Sequence, residues 1–528
     1  MLYILLIWAN ATFLAFVFGK ATEFVLTRGR IELPIALSLL IGLVSLNIIV
    51  ISIAIFSPLT TTIQIAIEVV AALIFVVLLR NRVVNFVLPK LKFTWVSITL
   101  LVFFLYLLIY VCTKCYLPTS YYDEGLYYVQ FVRWLQQYGF VNGLANLHHR
   151  FGFNSSWHSL AAFLDYPNTG YFFNDLNGLL FLLYTAYVFN RIIAISEGSR
   201  FFSDLVLVAS WIALIYPKED LVSIASHIFV NTISPDWASF IYVSLVIVLV
   251  LKHAEQTAAQ KQYLELLIIL LAAYCFTVKL VNVTVLLVRS NVILSGYLVF
   301  PIVHTQITFL DWGVPQNYVN ELVDYTRIWA KTNGRPDVYT TLSAPELLAY
   351  WFRHQSSFIQ TVYVIMCGTW AALGLFFMLE KRRLNEKFFE KYQNHLLVCL
   401  TCTLGEIFWL FNAPDFRFSA SFILSGLFLG LALVLNRLKR WHTIVMLTIA
   451  FGCLVSLNGS HLRDAFLSDQ FPVLTEIETE IQNGIRIPVS TDQCFDSPIP
   501  CTPGTELAKG RVLLRDSRAL HHGFIIQH

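Results

Sequence analysis

The 528-residue sequence predicts an all-α polytopic membrane protein with about twelve transmembrane helices and a small extracytoplasmic C-terminal tail of α/β or β-rich character. Three observations predict it. Hydrophobic residues make up 57% and charged residues only 13%, with a mean hydropathy of +0.66, whereas soluble chains carry about a quarter charged residues. Long apolar runs recur along the chain, most near the roughly 20 residues needed to cross about 30 Å of hydrocarbon. Lys and Arg crowd into alternate short connectors, the pattern of cytoplasmic loops.

The apolar runs place spans near 2–19, 33–56, 62–79, 94–112, 171–190, 202–216, 237–251, 264–288, 356–379, 394–411, 419–436 and 441–458. The sixth and seventh are short. No basic residue precedes the first span and no small-residue cleavage site follows it, so it is expected to stay as a helix and not to be a signal peptide. The connectors 20–32, 80–93, 191–202, 252–263, 380–393 and 437–440 hold 3, 4, 2, 2, 5 and 3 basic residues, 19 of the 36 in the chain. They are expected in the cytoplasm, with both termini outside.

This divides the chain into N-terminal transmembrane helices (1–93), a transmembrane core (94–458) with outer loops 113–170 and 291–355, and an extracytoplasmic tail (459–528). A shorter outer stretch covers 217–236. The cytoplasmic connectors leave no room for a nucleotide-binding domain. No Gly-rich phosphate loop is visible, which argues against an ATP-driven pump. A net charge of +3 carries no nucleic-acid signature. No internal repeat is visible.

The tail is rich in Pro, Gly, Asp and polar residues, which predicts short strands and turns. Within it, Cys494 and Cys501 close a Pro-rich loop and are expected to form a disulfide. Cys275, Cys367, Cys399, Cys402 and Cys453 lie inside helices and read as small core residues. Cys112 and Cys115 are spaced Cys-x-x-Cys without the strand-helix context of a redox motif, so a structural disulfide or two packed thiols is expected.

The stretch most informative for chemistry is Tyr121-Tyr122-Asp123-Glu124-Gly125-Leu126-Tyr127-Tyr128, which begins the first outer loop a few residues past the fourth span. Partial desolvation at the lipid–water boundary raises a carboxylate towards the range of a general base. The rival is an interfacial helix cap, and the tyrosines either stack on a sugar or form the interfacial belt. Residues 124–137 read as a helix lying on the membrane. His148, His149 and Arg150 could hold a phosphate, a substrate or a metal, or form a solvated turn. No nearby spacing completes a metal-ligand set.

Asp236, in Ser-Pro-Asp-Trp at the start of the seventh span, is either a helix-dipole partner or a second acidic site. In Asn412–Phe418, Arg417 suits a lipid phosphate, and an Asp415–Arg417 contact is the alternative. Glu68, Lys279 and Glu406 are ionisable groups inside spans and lie towards outer ends, which fits an outer-face site better than an ion path.

An acidic pair just after a helix, opening the first large outer loop, resembles the GT-C superfamily of integral-membrane glycosyltransferases. Those enzymes have many helices, interfacial helices in the first outer loop and often a soluble tail. They take sugar from a polyprenyl-phosphate carrier at the outer face. The resemblance implies that Asp123 or Glu124 is the catalytic acid-base residue. It implies that Asp236 is a second acidic position and that Arg417 or Lys279 meets the carrier phosphate. Tyr122, Tyr127, His148, His149, Arg150 and Asp415 complete the expected substrate-binding set. The runs Asp123–Asn154, Ser290–Pro301 and Ala413–Phe418, with Pro-Cys-Thr-Pro at Cys501, are also similar to an uncharacterised family of bacterial polytopic membrane proteins. That likeness covers most of the chain from about 95 onwards.

The chain departs from the GT-C pattern in three ways. Its acids read Asp-Glu and not the Asp-x-Asp with which some of these enzymes hold a metal. No cofactor is therefore expected, and a divalent metal is the alternative. The spans before residue 94 are additional. The segment 279–303 looks compressed, because the helix 264–288 runs into Arg289 and the apolar stretch 291–303 is too short to span. The expected setting is the bacterial inner (plasma) membrane. The expected partners are the lipid bilayer, a polyprenyl-phosphate sugar donor and a glycan, lipid or protein acceptor, with no nucleic acid. The rival readings are a transporter or flippase of lipid-linked glycans and a non-catalytic polysaccharide assembly factor.

Overall fold

The computed structural model describes residues 2–83, 94–116, 119, 121–165, 175–199, 201–215, 230–278, 285–381, 386–412, 414–415, 422–427, 429, 477–504, 511–516 and 519–527. Apolar sequence becomes helix wherever a long run allows it, since a helix satisfies its own backbone inside hydrocarbon. Helices α1 (Leu2–Thr27), α2 (Ile35–Ala54), α3 (Thr61–Arg80) and α4 (Trp95–Cys115) come first. After the first outer loop follow α8 (Leu176–Ser196), α9 (Phe202–Ile215), α10 (Pro235–Glu255) and α11 (Ala258–Val278), and later α16 (Ser357–Lys381) and α17 (Glu386–Asn412).

Among the described residues, seven helices are long and apolar enough to cross a membrane: α1, α2, α3, α4, α8, α10 and the Gln393–Asn412 part of α17. Their outward faces suit lipid. Leu73 and Val76 on α3, Leu101 and Val102 on α4, and Leu404 and Phe408 on α17 are all exposed. The chain is a membrane protein. The other expected spans are not established as such. The one at 202–216 is the 14-residue α9. Those at 419–436 and 441–458 fall outside the described residues, apart from 422–427 and 429.

One expectation is corrected. The first helix does not stop at residue 19 but runs to Thr27, so Lys20 is not a connector residue. It is buried inside α1 and pairs with Glu23 at 3.1 Å. Glu23 also accepts from the Ser38 hydroxyl (2.5 Å) and the Leu33 N–H (3.1 Å). Paired and hydrogen-bonded, the two charges can be buried inside the helix at lower cost than isolated ones. Of the expected helix 264–288, the described residues show α11 as far as Val278 and α12 (Val285–Ser295), and 279–284 lie outside the described residues. The apolar stretch 291–303 does not span: it finishes α12 and then turns, closed by a bridge from Tyr297 to Gln306.

Alternating helix directions sort the contacts into two ends. At one, Arg191 grips Asp204 (2.8 and 2.7 Å), the Ser203 N–H meets Glu255 (3.2 Å), and Asn394 reaches the Val250 carbonyl (2.9 Å). At the other end lie the last turn of α2, the last turn of α11 and the first turn of α10. Ala54 accepts from Phe140 N–H (3.1 Å), Val278 from the Ser155 hydroxyl (2.5 Å), and Ser234 from the Asn177 amide (3.0 Å).

That second end carries the non-spanning elements. The first outer loop holds α5 (Val129–Gln137), α6 (Leu144–Leu147) and α7 (Ser156–Leu164). The second holds α13 (Gln316–Thr332), α14 (Pro336–Thr341) and α15 (Ala344–Arg353). The tail forms two antiparallel hairpins, β1 (Thr479–Gln482) with β2 (Ile485–Pro488) and β3 (Arg511–Leu514) with β4 (Phe524–Gln527). Its expected strand character is present, and Cys494 and Cys501 are joined in a disulfide. Cys112 and Cys115 are buried and not joined in a disulfide, so packed thiols is the correct alternative.

Candidate active site at one end of the helix layer

The acidic pair sits where the chain changes helical pitch. Glu124–Tyr128 form a π-turn that runs directly into α5, and such turns concentrate at functional sites. The expectation of a helix lying on the membrane is corrected. Val129, Phe131, Val132, Trp134 and Leu135 are buried, and α5 packs on α7 beneath the tail. Its polar face is taken by the disulfide loop. Gln130 donates to the Phe495 and Ser497 carbonyls (2.9 and 2.7 Å), and Arg133 grips Asp496 through Nε and Nη2 (2.5 and 2.9 Å). The Phe495 N–H donates to the Gly125 carbonyl inside the π-turn (2.8 Å).

The two acids have different surroundings. Asp123, 8% exposed, forms an ion pair through Oδ1 with Arg150 Nη1 at 2.6 Å. Glu124 is 0% exposed and points to the start of α10. Its Oε2 accepts from the Thr232 hydroxyl and, at 3.3 Å, from the Ile233 N–H. Its Oε1 is buried without a partner. Burial pushes the Glu124 carboxyl up to about 8 against the pull of those two hydrogen bonds, which favours its protonated form.

Arg150 follows from a 3₁₀ turn, His149–Phe153. His148 precedes it, buried, and its Nδ1 accepts from the Arg150 N–H at 3.2 Å. The turn is therefore built and not solvated. The Arg150 guanidinium lies 5.6 Å from the Tyr127 ring centroid. Asp236 is at the second position of α10, whose N-terminus the Ser234 hydroxyl caps by accepting from the Asp236 N–H (3.4 Å). It is buried and acts electrostatically on Tyr127, Tyr128 and His158.

A cavity of about 390 Å³ opens beside these groups. Tyr122, His148, His149 and Arg150 of the first outer loop line it, together with one face of α13 and part of the tail. The structure thus brings Tyr122, Asp123, Glu124, Tyr127, His148, His149, Arg150 and Asp236 to one place. Asp415 is elsewhere, its carbonyl accepting from the Trp409 indole at 2.6 Å. Lys279 and Arg417 lie outside the described residues. Among the described residues no group of three His, Cys, Asp or Glu could hold a metal ion.

Sequence reading missed several neighbours. His158 is 2% exposed with its Nε2 unpartnered, its ring centroid 4.5 Å from that of Tyr128. Burial pushes its pKa down to about 3, so the ring is neutral. Asp165 accepts from Arg133 (3.2 Å) and Gln136 (2.9 Å). Asp175, at the start of α8, is raised to about 8, first by burial and then by Asp165. A polar residue interrupting a short apolar run was a visible signal for His158. Nothing local marks Asp492 or Asp496, which reach the site from more than 350 residues away.

The chain matches the family model described as Domain of unknown function (DUF8201) over residues 1–290 and 281–424. It belongs to this family. The match begins at residue 1, so the spans that looked additional are part of the family's extent. It includes Asp123, Glu124, Arg150 and the α13 face, and it stops before the tail. Its two stretches overlap at 281–290, inside the segment that looks compressed. No curated protein and no solved structure matches the chain.

Proposed function

We propose that this chain is a membrane glycosyltransferase that moves a sugar from a polyprenyl-phosphate carrier to a glycan, lipid or protein acceptor at the outer face of a bacterial inner membrane. The observation that carries this reading is the Asp123–Arg150 ion pair at a cavity, on the end of the helix layer that holds both outer loops and the tail. The Asp123 carboxylate takes the proton of the acceptor hydroxyl as that oxygen attacks the anomeric carbon. The bond from the anomeric carbon to the phosphate oxygen breaks, and the carrier phosphate leaves with the electron pair. Arg150, with His149 beside it on the cavity wall, stabilises that phosphate. Glu124, protonated and tied to α10, holds the π-turn and does not act as the base. Lys279 and Arg417 remain proposed carrier-phosphate contacts. A carboxylate held by Arg150 beside the cavity supports transfer over a flippase, which needs no base at one end.

The test is transfer of radiolabelled sugar from polyprenyl phosphate by the purified protein in nanodiscs. Asp123→Asn is expected to lower the rate by about 10²–10⁴-fold while the protein still folds and inserts, with some loss of stability because Arg150 loses its ion-pair partner. Near-normal transfer by Asp123→Asn overturns the assignment. Movement of an intact lipid-linked glycan across the bilayer, without transfer, would establish the flippase reading instead.

A further inference from the structure

The proposed chemistry uses only the Arg150 side of the cavity. The remainder is built from two other parts of the chain. Tyr318, Glu321, Leu322 and Tyr325 of α13 all line it. Their spacing of three, four and seven residues puts them on one helix face. The tail contributes Asp492, whose carboxylate accepts from the Tyr122 phenol, while the Gln493 amide donates to the Tyr122 carbonyl at 2.7 Å. Pro503, Val512 and Ile526 add an apolar patch from the same domain. With Leu126, Ala145 and Asn146 of the first outer loop and Val314 before α13, the unused wall is three tyrosine rings, two carboxylates, one amide and apolar side chains set between them, with no cation among them.

This chemistry fits a neutral saccharide. The C–H faces of a pyranose pack on tyrosine rings, and its hydroxyls donate to carboxylates. An acyl chain needs a continuous apolar lining, which Glu321 and Asp492 interrupt. An anionic ligand is repelled by the same carboxylates. The volume of about 390 Å³ falls within the range of small-ligand sites and suits a mono- or disaccharide unit. We propose that α13 and the tail form the acceptor subsite of the enzyme and that the acceptor unit bound there is a neutral saccharide. The role as acceptor rests on the glycosyltransferase reading; the saccharide class rests on the lining alone.

Saturation-transfer NMR on the full-length protein in nanodiscs tests it. The probes are methyl glycosides of glucose, galactose, mannose and N-acetylglucosamine, with their octyl counterparts. At least one glycoside is expected to receive saturation on its ring protons. Tyr325→Ala or Tyr318→Ala is expected to weaken binding by up to about tenfold, and Glu321→Gln also weakens it. Tyr318→Phe with Tyr325→Phe keeps the rings and most of the binding, which separates lost stacking from misfolding. Stronger binding of the octyl form places the acceptor on a lipid; equal binding places it on a free or protein-linked glycan. Absence of saturation for every probe, or an unchanged signal in the double alanine variant, overturns the proposal. If binding follows the tyrosines but no transfer is found, the saccharide site stands and the catalytic reading fails. If Asp123→Asn loses transfer while α13 variants leave the acceptor KM unchanged, the catalytic reading stands and the subsite fails.

Discussion

Adjacent carboxylates one residue apart point about 100° apart on a helix, and here that angle separates two environments. Asp123 reaches Arg150 at the cavity, while Glu124 enters the packing at the start of α10. The consequence for Glu124 is a dependence of stability on pH. Burial holds its carboxyl up to about 8 in the folded protein, above its ordinary value of 4.5. Between those values the folded state holds a proton that the unfolded state has lost, so stability falls as pH rises from about 5 to 8. The loss is on the order of a few kcal/mol, and Asp175 adds to it with the same sign. Glu124→Gln, which keeps an oxygen for Thr232 and Ile233, is expected to stay folded and to flatten this decline. Melting temperatures at pH 5.5 and 8 check it; an unchanged slope would show that Glu124 is already ionised at neutral pH.

At the scale of elements, the tail is held to the first outer loop by contacts that only small residues permit. The Phe524 N–H donates to the Asn142 carbonyl at 3.0 Å beside Gly143 and Gly523, both at positive φ. A Cβ on Gly523 would meet the Asn142 oxygen at 1.8 Å, and one on Gly143 would meet the Phe524 oxygen at 2.2 Å. Backbone cannot yield as a side chain tip does. Gly523→Ala is expected to cost about 1–3 kcal/mol and to release β4, read as protease cleavage within 511–527. A tail as resistant as the wild type would show that this crossing does not hold it. The disulfide loop is the second clasp. Cys494→Ser with Cys501→Ser removes about 2–3 kcal/mol of loop-closure stabilisation. It is expected to raise hydrogen exchange over 125–137, because Gln130 and Arg133 bond to the loop's carbonyls and to Asp496.

At the scale of the whole molecule, the described residues of the proposed chemistry lie at the end opposite the Arg191–Asp204 connector. The positive-inside rule predicts that this end faces outward. Removing Lys20 from the connector set leaves the bias intact, since the remaining basic residues still alternate. Single cysteines placed in a cysteine-free background give the check. Val489→Cys, on an exposed part of the tail, is expected to react with a membrane-impermeant maleimide in intact cells. Glu197→Cys, in the exposed turn after α8, is expected to react only after permeabilisation. The reverse pattern would invert the topology and place the cavity in the cytoplasm.

Membrane residence, most helix positions, the disulfide and the stretch around Asp123 were legible from the sequence, because each depends on local composition or spacing. Apolar length dictates a span, Pro and Gly density dictates turns, and two cysteines seven residues apart can meet without help from the rest of the chain. The burial of α5 was not legible. Its apolar face reads equally as a membrane-surface helix, and only the docked tail shows where its polar face goes. The split between Asp123 and Glu124 was likewise decided by residues brought from afar, Arg150 for one and Thr232 with Ile233 for the other. The cavity is assembled from three segments more than 150 residues apart, and Lys20 is paired by a glutamate that is itself held by Leu33 before the next helix and Ser38 on it. Local sequence determines which elements form and where they can reside; the charge state of each acid and the shape of the site depend on desolvation and on distant partners, which exist only once the helices and the tail have packed.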